Sequence, residues 1–313
     1  MYRGAAVAGT AGGGAETGRR QPISPEELTR RLGRNAAAVV GEGLTAIQGI
    51  NPDVLMTSTM VIPWGAAVAF LLEKPHVWRV CEFGEPEYGL HFVIPFEEVL
   101  EIIRSSSSFI FTGTKYHRNV LFPKLEDSER LPLYAHIEIP PEALQETPHS
   151  HFTRDGARRL GIFADLWEGK GQEDALRATA ELVRRGHNVE LLVAGHEADT
   201  GYHARIEEFI EEQKLRPYVR LAGFISDVYA AMRQTDIVLV CSRHEAFCRV
   251  AVEAMLLGKP VVYSASGALP DYMQDGKTGL AYSPGDIPQL VNLIEILLAH
   301  PETGRALGDN GRS

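Results

Sequence analysis

Ile237-Val-Leu-Val-Cys-Ser-Arg-His-Glu-Ala-Phe-Cys-Arg-Val-Ala-Val-Glu-Ala-Met-Leu-Leu-Gly-Lys-Pro-Val-Val-Tyr263 is the stretch that decides the fold. Residues 237–241 are an uninterrupted apolar run, the pattern of a strand buried on both faces. Ser242-Arg-His-Glu245 makes a short polar turn, 246–257 is expected to be a helix, and a second apolar run occupies 260–263. Strand, helix and strand, with neither strand alternating apolar and polar positions, form a βαβ unit of a parallel sheet.

The same alternation continues on either side. Apolar runs bounded by turn residues lie at 160–166, 189–194, 219–221 and 279–282, with helical segments at 173–185, 203–214, 228–233 and 287–300 between or after them. A doubly wound α/β domain over 156–313 follows. In such open sheets ligands bind beyond the carboxyl ends of the strands. That directs attention to the loops after Leu166, Leu221, Cys241 and Tyr263.

Upstream the pattern is weaker but of the same α/β kind. Residues 1–20 are rich in Gly and Ala and are expected to be flexible. A helix is predicted from Ser24 as cap and Pro25 at its first position to about Arg34. A second is predicted over 36–48, with strands at 53–57, 77–81 and 108–112, helices at 65–72 and ending at 102–104, and an extended segment at 131–138. Ile139-Pro140-Pro141 leads into a polar linker. The expected organisation is a flexible segment 1–20, a partial Rossmann-like domain 21–141, a linker 142–155 and a Rossmann-like domain 156–313.

Bulk properties exclude several classes. With 44% hydrophobic and 23% charged residues the chain is neither disordered nor fibrous. A formal net charge of −10 argues against a nucleic-acid binder. The three cysteines, Cys81, Cys241 and Cys248, have no metal or disulfide spacing, which fits a reducing compartment. Residues 54–72 carry no charge over a membrane-spanning length, but Pro63 and Thr57-Ser58-Thr59 interrupt them, so a strand, turn and helix are expected instead. No signal peptide is evident at the N-terminus, and the expected location is cytoplasmic.

Two carboxylates stand out. Glu245 precedes the predicted helix and Glu253 falls about two turns inside it, roughly 12 Å further along the axis. The free N–H groups and positive dipole end of a helix suit a diphosphate, with hydroxyl-binding carboxylates on either side. On spacing alone, acids near a helix start are also common as solvated or structural groups.

The full string adds to this. Glu245-Ala-Phe-Cys-Arg-Val-Ala-Val-Glu-Ala-Met255, then Gly258-Lys-Pro-Val-Val and Asp275-Gly-Lys-Thr-Gly-Leu280, resembles the donor-site signature of retaining glycosyltransferase family 4, the glycosyl transferases group 1. The resemblance covers about 160–308 and implies a GT-B fold, two Rossmann-like domains facing a cleft, here with an N-terminal domain incomplete against the family pattern. It implies that Glu245 contacts the transferred sugar, that Glu253 binds the ribose, and that Phe247, Cys248, Arg249 and Val250 line the turn through their main chain. In Phe163-Ala-Asp-Leu-Trp-Glu-Gly-Lys-Gly171, Lys170 matches the lysine that steadies the leaving diphosphate, whereas Asp165 stands where an arginine is usual and would repel phosphate. Ala222-Gly-Phe-Ile-Ser-Asp227 is similar to the base-recognition loop, with the Ile225 backbone on the nucleobase. Ser266-Gly267-Ala268 replaces a Gly-Gly, and Cys248 stands where Gly is usual. Pro75-His-Val-Trp-Arg-Val-Cys-Glu-Phe-Gly-Glu85 resembles the acceptor-side strand and loop, which makes Glu82 and Glu85 the candidates there; Cys81 is expected to be a small apolar residue.

The implied reaction is transfer of a hexosyl unit from a nucleoside-diphosphate sugar to an acceptor hydroxyl with retention, without a metal or other cofactor. The acceptor is unspecified: a sugar, a lipid-linked sugar or a small molecule, with peripheral membrane association left open. The competing expectation, motivated by Asp165, Cys81 and the incomplete first domain together, is an inactive or weakly active sugar-nucleotide-binding partner subunit. A sugar-nucleotide epimerase fits the acidic pair and the lysine loop less well. His149-x-His151 lies in the linker and reads as solvated loop residues rather than metal ligands, and Ser264 and Ser266 have no evident base.

Overall fold

The computed structural model describes residues 34–84, 90, 92, 94–126, 130–145 and 150–313. The segment at 1–20, the helix start at Ser24-Pro25, Glu85 and His149 lie outside the described residues. Two parallel sheets organise the rest. The first has four strands, β1 (Leu55–Thr57), β2 (His76–Val80), β3 (Phe109–Thr112) and β4 (Arg130–Pro132), ordered as in the sequence. Between them run α2 (Trp64–Leu71), α3 (Phe96–Ser105) and α4 (Lys115–Leu121), and α1 (Arg34–Gln48) packs on α2. The charge-free residues 54–72 thus divide into β1 and α2, and no described helix is long and apolar enough to cross a membrane.

The second sheet contains β5 (Arg158–Phe163), β6 (Val189–Ala194), β7 (Val219–Gly223), β8 (Ile237–Val240), β9 (Val261–Ser264) and β10 (Leu280–Tyr282). Its order, β10-β9-β8-β5-β6-β7, is that of a dinucleotide-binding Rossmann sheet. The helices are α5 (Gln172–Arg184), α6 (Thr200–Glu212), α7 (Val228–Gln234), α8 (Arg249–Leu256), α9 (Leu269–Tyr272), α10 (Ile287–Ala299) and α11 (Pro301–Arg312). Every residue of β6, β8 and β9 is buried, which is why these strands read as continuous apolar runs. Two apolar clusters cover the sheet's two faces, one centred on Leu160, Leu191 and Leu239, the other on Leu192, Val238 and Val261. The exception in β6 is Glu190, buried but accepting hydrogen bonds from the Thr153 and Arg154 amides and the Thr153 hydroxyl, which satisfies its carboxylate.

Several expectations need correction. The helix of the deciding stretch begins at Arg249, not at 246, because residues 245–248 are pinned elsewhere: the Ala268 amide donates to the Glu245 carbonyl (2.7 Å) and the Cys248 amide to the Tyr272 hydroxyl (3.1 Å). Glu253 therefore sits just over one turn inside the helix. Of 131–138 only the start is a strand, since β4 ends at Pro132, which cannot donate to a further ladder. His151 is buried, not solvated: its Nε2 lies 2.9 Å from the Asp227 carboxylate, and its carbonyl accepts from Arg220 (2.6 Å). Helices α4, α9 and α11 form where no helix is predicted.

Candidate active site

Strand order reverses between β5 and β8, and the crevice beyond their carboxyl ends is where an α/β sheet binds ligands. The loop after β5 ends in a one-turn helix, Glu168–Lys170, followed by Gly171 at φ 65°. A Cβ at Gly171 would lie 2.1 Å from the Cys241 carbonyl oxygen, so only glycine lets this loop close over the end of β8. The loop after β8 brings up Glu245. Lys170 Nζ donates to Glu245 Oε1 at 2.7 Å, and Ser242 Oγ donates to the same oxygen at 2.6 Å. Burial is the largest influence on Lys170 and opposes its charge, but the charge and hydrogen bond of Glu245, with neighbouring groups that include Asp165, together raise the lysine pKa.

The loops after β9 and β10 complete the frame. Ser264 and Ser266 hydroxyls donate to the Ser242 carbonyl (2.6 and 2.7 Å). Gly267, at φ 55°, passes so close to Glu245 that a Cβ would lie 2.4 Å from its backbone N and O. The Arg243 amide donates to the Gly169 carbonyl (2.8 Å), and its guanidinium forks onto Asp174 with two 2.7 Å bonds. Asp174 is buried and also accepts from the Tyr282 hydroxyl and the Gly285 amide (3.1 and 3.0 Å). The Lys170 and Glu245 loops are thereby locked to each other and to β10.

These loops enclose a cleft of about 450 Å³, bordered by Lys170, Ile225, Glu245, Phe247, Cys248, Arg249, Val250 and Glu253. Glu253 is buried, with the Tyr229 hydroxyl and the Arg249 guanidinium each 3.3 Å from its carboxylate. Asp165 is exposed at the rim, where Oδ1 accepts from the His196 amide (3.2 Å). The Cys248 thiol is pushed up to about 12 by burial and then by the Glu245 charge, so it stays protonated. No motif or spacing singles out Ser242, Asp174 or Arg243, whose roles depend on partners distant in the chain. His196 and Phe224 also border the cleft, their rings stacked at 4.3 Å and 14°, with Phe224 63% exposed. The signal for His196 is its place beside Gly195, at the carboxyl end of the apolar run 189–194.

The carboxyl ends of the four-stranded sheet meet the same turn from the opposite side. Phe83, after β2, packs edge-on against the His244 ring (4.2 Å); the Tyr116 amide, after β3, donates to Asp271 (2.7 Å); and Ala246 belongs to the first sheet's apolar cluster. Glu82 lies in this wall with its carboxylate engaged: Oε1 accepts from the Thr59 hydroxyl (2.9 Å), Oε2 from the Met60 and Cys81 amides (3.3 and 3.2 Å). The Cys81 thiol is raised by burial. His117 is buried with Nδ1 accepting from the Gly113 amide, which leaves Nε2 to donate to the Glu82 carbonyl (2.9 Å). Burial lowers its pKa to about 4, so the ring is neutral.

The chain is similar to known proteins both in sequence and in structure. The chain is 29% identical over 143 residues to an alpha-D-kanosaminyltransferase of Streptomyces kanamyceticus, covering 45% of this chain and 36% of that one. It spans between 34% and 38% of the length of that enzyme and three further curated relatives. An uncharacterised glycosyltransferase of Methanocaldococcus jannaschii is 33% identical over 279 residues, 87% of this chain and 72% of that protein. Among solved structures, Anabaena HepE in complex with UDP and glucose superimposes with a TM-score of 0.75 at 20% identity, over 91% of this chain and 77% of that one, which places the two Rossmann-like units in the GT-B arrangement. The profile of the glycosyl transferases group 1 family matches residues 146–313, and with these similarities the chain belongs to that family of glycosyltransferases.

Proposed function

We propose that the chain is a retaining family 4 enzyme that moves a hexosyl unit from a nucleoside-diphosphate sugar to an acceptor hydroxyl, with no metal ion. The observation that carries this is the Lys170–Glu245 pair, 2.7 Å apart at the switch point of a Rossmann sheet. A buried ion pair is an expensive arrangement unless its groups have work to do. A diphosphate entering the cleft competes for Lys170, and a sugar hydroxyl takes up the Glu245 carboxylate. The bond from the sugar's anomeric carbon to the diphosphate oxygen then breaks while the acceptor oxygen bonds to that carbon from the same face. The acceptor's proton leaves with the diphosphate, whose developing charge Lys170 and the 246–249 backbone stabilise.

In this reading Glu253 holds the ribose, the Ile225 backbone the base, and the wall around Glu82 faces the acceptor. HepE structures hold UDP, glucose and UDP-glucose, so uridine diphosphate sugars are the first donors to assay. Glu245→Ala should abolish transfer, followed by NMR of the anomeric proton, which also reports retention or inversion. Unchanged turnover in that variant, or an inverted product from the parent, overturns the assignment.

A further inference from the structure

The charge around the cleft is the wrong sign for the ligand just proposed. Among the described residues its border carries three carboxylates, Asp165, Glu245 and Glu253, against two permanent cations, Lys170 and Arg249. Lys170 already serves Glu245 at 2.7 Å. A nucleoside diphosphate brings at least two more negative charges, and Asp165 at the rim opposes them.

Arg249 is the remaining source of positive charge. It is the first residue of α8 and borders the same cleft as Lys170 and the 245–248 turn. Its contact to Glu253 is a single 3.3 Å approach with the arginine side chain 68% exposed. The exposed guanidinium can swing away from this one long contact, and the buried Glu253 carboxylate keeps the Tyr229 hydroxyl, 3.3 Å away. A guanidinium also presents a planar fork that matches two phosphate oxygens. Resting on the donor-site reading above, we propose that the Arg249 side chain, beyond the main-chain lining expected of it, grips the donor diphosphate and supplies the charge that Asp165 does not. Moving to the phosphate would also release the Glu253 carboxylate for hydroxyl groups.

The test is calorimetric titration of the full chain with UDP and with uridine, for wild type, Arg249→Ala, Arg249→Lys and Arg249→Ala combined with Asp165→Arg. Losing one charge-assisted contact should weaken UDP binding about 10- to 100-fold without weakening uridine binding. Lysine should recover part of the loss, and Asp165→Arg in the alanine background most of it. Equal UDP affinity in wild type and Arg249→Ala overturns the inference and leaves the donor site standing. So does an equal loss for UDP and uridine, which would mean the side chain shapes the cleft rather than meeting phosphate. If wild type binds none of UDP, ADP and GDP, the donor-site reading itself fails and this inference with it.

Discussion

In the six-stranded sheet β6, β8 and β9 are buried at every position, whereas β1, β2 and β3 alternate buried residues with half-buried or exposed ones. One sheet is covered on both faces and the other chiefly on one. The order of strands differs in the same sense: the larger sheet reverses direction between β5 and β8, while the smaller runs straight through its four described strands. Reversal opens a crevice, and four loops of the larger sheet are bonded together around it. The smaller sheet contributes a wall whose polar groups are spent on its own backbone, as at Glu82 and His117. Under the proposed function, chemistry resting on precise placement belongs with the first and acceptor variation with the second.

The largest expected effect tests that division directly. Glu245→Gln keeps the shape of the Lys170 loop but removes its charge, and should lower kcat by about 100- to 1000-fold, the usual loss for one preorganised electrostatic group. Glu82→Gln should cost less than about tenfold and act on the KM for acceptor, because it weakens the 59–60 turn without touching the donor. Steady-state kinetics on both variants decides. Similar losses in kcat would move the chemistry into the wall between the sheets.

Stability comes next. Arg243→Met strands the Asp174 carboxylate, 2% exposed, with only Tyr282 and the Gly285 amide as partners. Breaking one side of a buried pair costs about 3 kcal/mol, which lowers Tm by roughly 6–12 °C for a unit of this size. Asp174→Asn in the same chain should recover part of it. A Tm unchanged in Arg243→Met would mean that the fork to Asp174 does not fasten the Lys170 loop.

How much of this was legible in the sequence follows the same division. Continuous apolar runs appear only where a strand is covered twice, so β5 to β10 could be placed within a few residues of their observed ends. Alternation broken by exposed apolar side chains, such as Met56 at 54%, blurs β1. Helix α4 is only seven residues, Lys115–Leu121, and its cap Thr114 lies in a stretch without helical periodicity. Within the site, Lys170, Glu245 and Glu253 were singled out because the strings around them resemble the family's donor-site signature; their spacing alone left solvated or structural roles open. The start of α8 was not, because bonds to Ala268 and Tyr272 hold 245–248 out of the helix. Asp174 was missed because its partners, Arg243, Tyr282 and the Gly285 amide, lie far away in the chain; His196 carried only the local signal of its place at the end of an apolar run.

Acid should separate the two units. Burial lowers the pKa of both His76 and His117 to about 4 from an ordinary 6.5, and both lie in the smaller unit. Each is neutral when folded but protonated first in the unfolded chain. Their contribution to stability is therefore complete above about pH 6.5 and is lost as pH falls toward 4, at about 1.4 kcal/mol per pH unit for each histidine. Urea unfolding followed by the fluorescence of Trp78, buried in that unit, with Trp167→Phe to remove the signal from the larger unit, should show a midpoint falling across this window. His117→Gln should flatten the slope by about half. A midpoint that stays level from pH 6.5 to 4 would show that the smaller unit does not depend on neutral histidines.

The smallest effect is the most direct probe of how independent the units are. Thr114 caps α4 by accepting from the His117 amide (3.2 Å), and Asp199 caps α6 by accepting from the Tyr202 amide (2.9 Å). Replacing either by alanine removes one capping bond, about 1 kcal/mol in both cases. What differs is where the loss can spread. Helix α6 packs into the larger unit's apolar core through Tyr202, Ile206 and Ile210, so Asp199→Ala should lower the whole cooperative transition of the larger unit. Helix α4 buries only His117 and Leu121, so Thr114→Ala should appear as faster amide exchange confined to α4 and β4, with the main transition unmoved. The same substitution should loosen the Tyr116–Asp271 contact and so raise the KM for acceptor slightly, without changing donor affinity. If both variants instead shift one common transition by the same amount, the two sheets fold as a single unit, and the difference in their burial does not divide the molecule.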